Sequence, residues 1–95
     1  MSKNTLLLLC RIYIQTKNNS KDEKEIIPCL FSNNFYEIDE KLSDQRWDYD
    51  LFVECLEVLE SYGYVKKYID NSFRIEEEGI EYVENMLRNT GIALS

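Results

Sequence analysis

A chain of 95 residues, 44% apolar and 31% charged, can fill one modest core and is too short for two, and its composition is that of a folded domain rather than a disordered segment. Its formal charge of −7 argues against non-specific affinity for nucleic acid, which draws on cations that displace counterions at phosphates. There is no histidine, and Cys10, Cys29 and Cys55 are widely spaced with no CxxC pair, so no metal site, no cofactor and no catalytic activity are expected.

The longest apolar run, Leu6 to Cys10, is too short to span a bilayer or to serve as a signal-peptide core, so a cytoplasmic protein without membrane contact is expected. Residues 5–16, TLLLLCRIYIQT, are apolar on nearly every side, with only Arg11 and Gln15 marking a solvent-facing polar stripe. The leucine content predicts a helix capped by Ser2 or Asn4, although RIYIQ also suits a strand. Leu8 falls on the side of Arg11 and Gln15. A helix that is apolar all round is covered from two directions, so Leu8 and Arg11 are candidates for a homodimer seam; the competing reading is a lone exposed leucine.

Lys17 to Lys24 is a polar link. Ser20 with Glu23 fits a capping box and predicts a short helix over residues 23–31, EKEIIPCLF, interrupted at Pro28, which lacks an N–H and disfavours helix at Ile27. Asn33-Asn34 turns the chain. FYEIDEKL, residues 35–42, reads as a helix burying Phe35, Ile38 and Leu42, with a short initial strand as the alternative. Ser43 to Trp47 is the next turn, with Trp47 a core plug at the corner.

The strongest pattern runs from Asp48 to Ile75, DYDLFVECLEVLESYGYVKKYIDNSFRI. Leu51, Phe52, Cys55, Leu56, Leu59 and Tyr62 form one helical stripe that must be buried; Asp48 is a good N-cap, and Gly63 can take the left-handed conformation that ends a helix. Asp70-Asn71, between two β-prone runs, predicts a two-residue hairpin turn with Lys67 opposite Arg74. Glu76 to Arg88 reads as a closing helix with Ile80, Val83 and Leu87 on one face and Tyr82 and Met86 beside it. Its opening glutamates and Arg88 suit the helix dipole. Gly91 can end it, and the apolar tail Ile92 to Leu94 packs back or joins a partner, which makes Ile92 a third seam candidate.

A helix delivering its chain into a hairpin is half of a winged helix-turn-helix. The expected fold class is therefore α+β, helix-rich: a winged helix-turn-helix with one β-hairpin wing and a C-terminal helix, forming a single domain over residues 1–95. DYDLFVECLEVLESYGYV, a hairpin and then RIEEEGIEYVENML resemble the "helix, GY-V, wing, L-T-x-x-G-x-x-Y-L" signature of bacterial winged-helix domains, most of all the small phage-type YjcQ-like family. Phe52, Leu59, Gly63 and Tyr64 occupy the pattern's helix and stop, and Ile75, Gly79, Tyr82 and Val83 its closing part. Glu76 departs from the pattern, standing where the family places Ser or Thr. The resemblance covers Asp48 to Leu87 and implies fold alone, since winged helices serve as DNA readers and as protein-binding modules.

In a DNA-reading winged helix the middle helix enters the major groove and presents donors and cations. Here removal of the buried stripe leaves Asp50, Val53, Glu54, Glu57 and Glu60, on which every charge is negative. The leading expectation is a non-catalytic regulatory or inhibitory protein. Its acidic surface, this helix with Glu37, Asp39, Glu40 and Asp44, would dock on a basic, nucleic-acid-binding partner protein. Small phage inhibitors of host nucleases, anti-CRISPR proteins among them, supply the analogy. A solvated face with no partner is the bland alternative. The runner-up is a transcription regulator touching DNA through Lys66, Lys67 and Arg74 of the wing, with Lys17, Lys21 and Lys24 of the first link as further cations. The carboxylate pairs Asp48/Asp50 and Asp39/Glu40 lack a glycine loop, histidine or nucleophile, so an enzyme is not expected.

Overall fold

Ser2 starts the first helix by accepting the N–H of Thr5 on its hydroxyl at 3.2 Å. In the computed structural model, which describes residues 1–21, 25–43 and 46–90, helix α1 spans Lys3–Asn19 without a break, so RIYIQ is helical. Packing covers it on several sides: α3 (Tyr49–Ser61) and α4 (Glu77–Thr90) lie against it, and α2 (Phe35–Ser43) closes over the side that carries Arg11.

That last contact overturns the polar-stripe expectation. Asp39 of α2 is fully buried, and its carboxylate accepts from Arg11 Nε at 3.0 and 3.1 Å, from Arg11 Nη2 at 2.8 Å and from Gln15 Nε2 at 3.1 Å. Gln15 is itself buried, and Leu8 is 0% exposed within the single chain. Leu8 therefore has no surface to give a homodimer seam, and Arg11 is held by Asp39 within the chain. Ile92 and Gly91 lie outside the described residues. Two charges out of water cost several kcal/mol each, so this pair fixes the placement of α2 on α1 more than it adds net stability.

The same pair explains the face of α2. Phe35 and Asp39, one turn apart, point inward, whereas Ile38 and Leu42, expected in the core, are 49% and 64% exposed. Asp39 likewise leaves the acidic surface to which it was assigned.

The short helix expected over residues 23–31 does not form across the described part of that stretch, residues 25–31. Ser20 ends α1, its hydroxyl donating to the Thr16 carbonyl at 2.8 Å and accepting the Ile27 N–H at 3.0 Å. Phe31 is extended and exchanges both backbone hydrogen bonds with Phe73, at 2.8 and 2.9 Å. A tertiary partner thus satisfies what a helix would have satisfied locally. Glu23 and Lys24 lie outside the described residues.

Asp48 caps α3 by accepting the Leu51 N–H at 3.3 Å, next to a buried Trp47. Phe52, Cys55, Leu56 and Leu59 face the core; Tyr62, expected with them, is 49% exposed. Gly63, at φ +79°, ends the helix. Its N–H donates to the Glu60 carbonyl and that of Tyr64 to the Leu59 carbonyl, the paired bonds of a Schellman stop.

Strands β1 (Val65–Lys67) and β2 (Phe73–Ile75) pair antiparallel as Val65↔Ile75, Lys66↔Arg74 and Lys67↔Phe73. The expected two-residue turn is a three-residue loop, Ile69-Asp70-Asn71. Asn71 sits at φ +66° and the Tyr68 N–H donates to the Ser72 carbonyl at 2.9 Å. The register moves by one, so Arg74 faces Lys66 rather than Lys67.

Helix α4 then folds back with Val83 buried. Gly79 permits this approach, since a Cβ there would stand 2.4 Å from the Tyr64 carbonyl oxygen. The described residues form an α+β, helix-rich domain of four helices and a two-stranded antiparallel hairpin.

Two substitutions test this core. Asp39→Ala leaves Arg11 without its counter-ion and is expected to lower the unfolding free energy by about 3–5 kcal/mol in urea denaturation. Leu8→Glu places a carboxylate at a fully covered position and is expected to abolish the cooperative thermal transition in circular dichroism. A Leu8→Glu chain that stays folded and only changes size in light scattering would restore the seam.

Candidate interaction surface

With the apolar stripe of α3 turned inward, Asp50, Glu54, Glu57 and Glu60 are all exposed on its outer side. Val53, grouped with them from the sequence, is half-buried against the core and forms only the edge of this face. Glu60 has a structural duty, its carboxylate accepting the Lys67 backbone N–H at 3.0 Å and so tying β1 to α3. Among the described residues, Asp50, Glu54 and Glu57 have no ion-pair partner. Asp44 lies outside them. Of the α2 acids, Glu40 stands 3.8 Å from Arg46, and Glu37 accepts from the Tyr36 hydroxyl at 3.1 Å. That bond, with the nearby carboxylate charge, raises the Tyr36 phenol above its ordinary pKa. Helix α4 adds the exposed Glu77, Glu78 and Glu81.

At the end of α3 the structure brings together three tyrosines, Tyr62, Tyr64 and Tyr82, which the sequence placed in a buried stripe and in the fold pattern but not in one cluster. The rings of Tyr62 and Tyr64 lie 5.5 Å apart and nearly parallel, at 9°, and Tyr82 lies 5.0 Å from Tyr64 at 31°. Tyr62 and Tyr82 are among the exposed large side chains, at 49% and 37%. The signal in the sequence was Tyr-Gly-Tyr at a helix stop, where a left-handed glycine can turn both flanking rings to one side.

The wing cations divide. Lys66 and Arg74, opposite each other, share the ring of Tyr68, with Nζ 5.3 Å and Cζ 5.9 Å from its centroid. Lys67, the next residue along the strand, alternates to the other face. Arg74 Nε is also 3.5 Å from Glu76. At the tip, Asp70 accepts from the N–H and hydroxyl of Ser72, which hold its carboxyl below the ordinary range. The fully exposed Ile69 stands beside it. The tip is therefore acidic and apolar. In the first link Lys17 and Lys21 are exposed, and Lys24 lies outside the described residues.

A cleft of about 600 Å³ lies between α1, residues 25–28 and α4, with Ile26, Pro28 and Ile80 in its lining and Glu25, Glu81 and Glu84 among its charges. In it the Tyr13 hydroxyl donates to Glu84 at 3.2 Å; burial, then the Glu84 charge and hydrogen bond, push the phenol up to about 12. The Cys10 thiol is likewise raised by burial, with Arg11 opposing, and all three cysteines are free. Among the described residues no group of three or more His, Cys, Asp or Glu is placed to hold a metal, and no helix is long and apolar enough to cross a membrane. Comparison with protein-family models, curated proteins and solved structures returns no match, so the functional reading rests on this geometry.

Because its folded value lies above the ordinary value of 10, Tyr13 keeps its full contribution to stability below about pH 10 and loses it as pH rises toward 12. Tyr13→Phe is expected to flatten that alkaline loss by on the order of 1–2 kcal/mol, read from denaturant melts at stepped pH.

Proposed function

We propose that this chain is a winged-helix domain turned to protein binding: a non-catalytic regulatory or inhibitory module that docks a basic, nucleic-acid-binding partner against the outer face of α3. The order of elements supports the winged-helix arrangement. After α1, Phe31 pairs with β2; α2, α3, the hairpin and α4 follow, and the Phe31 bridge gives the hairpin a third, one-residue strand. The hairpin then corresponds to the wing, and α3 to the helix that DNA-reading members place in the major groove.

One observation carries the functional reading. In the position of a groove-reading helix, α3 presents Asp50, Glu54 and Glu57, exposed and without counter-ions among the described residues, on a chain of net charge −7. Seating that face on DNA would hold carboxylates within a Debye length of phosphates. A basic protein surface finds the same field attractive, and complementary charge speeds encounter and sets register. The DNA-regulator reading is favoured by Lys66 and Arg74, which stand together on the outward face of the wing. Two phosphate contacts correspond to a salt slope of only about −2, too little to hold an acidic chain on a polyanion at physiological salt.

Duplex DNA titration at low and moderate salt separates the readings. Wild type is expected to show no binding at either salt, while an Asp50→Lys, Glu54→Lys, Glu57→Lys triple gains it. The same triple should lose retention on an immobilised basic polypeptide; Glu60 is spared because it anchors β1. Salt-steep binding of DNA by wild type, abolished in a Lys66, Lys67 and Arg74 triple alanine, would move the function to gene regulation.

A further inference from the structure

The row formed by Tyr62, Tyr64 and Tyr82 is partly open to solvent, and nothing in the core requires three phenol rings there. Gly63 in the left-handed conformation brings Tyr62 and Tyr64 parallel, at 9° and 5.5 Å, where a helix continuing through them would set the two side chains about 200° apart around its axis. Gly79, pressed against the Tyr64 carbonyl, lets α4 approach until Tyr82 stands 5.0 Å from Tyr64. Two glycines thus assemble a shelf whose outer members, Tyr62 and Tyr82, remain 49% and 37% exposed.

We propose that this shelf receives arginine guanidinium groups, so that the segment of the basic partner taken by the acidic surface is arginine-rich rather than lysine-rich. The inference rests on the acidic docking reading above and specifies its partner. Three features argue for it. The first is that each outer ring has a carboxylate on its own helix face. Glu78 precedes Tyr82 by one turn of α4, and Glu54, two turns before Tyr62 on α3, lines one groove with it; both glutamates are exposed. A second feature is the groove of about 380 Å³ that runs between α3 and the start of α1. Leu51, Val58, Glu54 and Tyr62 line it, which suits the apolar stem of a long cationic side chain whose head reaches the ring.

The third is the chemistry of the cation. A guanidinium is planar and weakly hydrated, so it can stack on a phenol face while its edge forks a carboxylate; an ammonium is compact, strongly hydrated and lacks that geometry. A nucleic-acid base could stack equally well, but its phosphates would meet Glu54 and Glu78, so charge selects the planar cation over the planar base.

The test is titration of the full chain, at low salt, with two short peptides of equal length and charge, one carrying arginines and one lysines. Wild type is expected to bind the arginine peptide about three- to tenfold more tightly, as one or two exposed cation–π contacts would give. Tyr62→Leu with Tyr82→Leu keeps apolar bulk but removes the rings, and is expected to bring the two affinities together; Tyr62→Phe with Tyr82→Phe should keep the preference. Should the double leucine variant fail to fold by circular dichroism, Tyr62→Leu alone, at the half-exposed helix end, carries the comparison with a smaller expected loss. Equal binding of both peptides by wild type, or a preference that survives ring removal, overturns the shelf and leaves acidic docking standing. Binding of neither peptide overturns the docking reading and the shelf with it.

Discussion

Phe73 is where four separate segments of the chain are made to agree. Its backbone exchanges hydrogen bonds with Phe31, and its ring lies 5.8 Å from Phe31, 5.6 Å from Phe35 of α2 and 6.0 Å from Phe52 of α3. Such contacts contribute about 0.5–1.5 kcal/mol each beyond the area they bury. Their greater consequence is rotational. With Phe52 held against Phe73, α3 cannot turn about its axis, and the arc opposite Phe52, which carries Asp50, Glu54 and Glu57, must face water. The acidic surface follows from an aromatic contact made on the other side of the helix.

What could be read from the chain divides along the range of the interaction responsible. The N-caps Ser2 and Asp48, the Gly63 stop and the buried stripe of α3 are set by residues within a turn or two, and local pattern finds them. The apolar pattern of α2 misled because the residue that decides its inward face is Arg11, 28 positions away; only with that cation placed does Asp39 displace Ile38 and Leu42 from the core. Residues 25–31 likewise read as a broken helix until Phe73 offers Phe31 a strand partner. The hairpin register turned on one backbone angle, that of Asn71, since a left-handed residue lengthens the loop by one and changes which lysine meets Arg74.

The candidate surface was legible in the same measure. Asp50, Glu54, Glu57 and Glu60 followed from helical spacing once the buried stripe was assigned, and all are exposed. Tyr62 escaped because the stripe, continued at constant period, ran on into the last turn, where the Schellman stop redirects the chain. An aromatic at the end of a helix belongs to the turn that follows as much as to the stripe before it, and Tyr62 pairs with Tyr64 accordingly.

The arginines bear on the direction in which this surface works. There are four, and each is engaged within the chain: Arg11 with Asp39 in the interior, Arg46 near Glu40, Arg74 near Glu76, and Arg88 with Asn85. Guanidinium is the group best matched to phosphate geometry, and here it is turned toward the chain's own acceptors. Even where such surface pairs are worth less than about 1 kcal/mol, they cancel charge locally and leave the surplus of −7 to the outer faces of α3 and α4. The arginines thus face carboxylates or an amide of their own chain, while Asp50, Glu54 and Glu57 on the outer face of α3 have no ion-pair partner among the described residues.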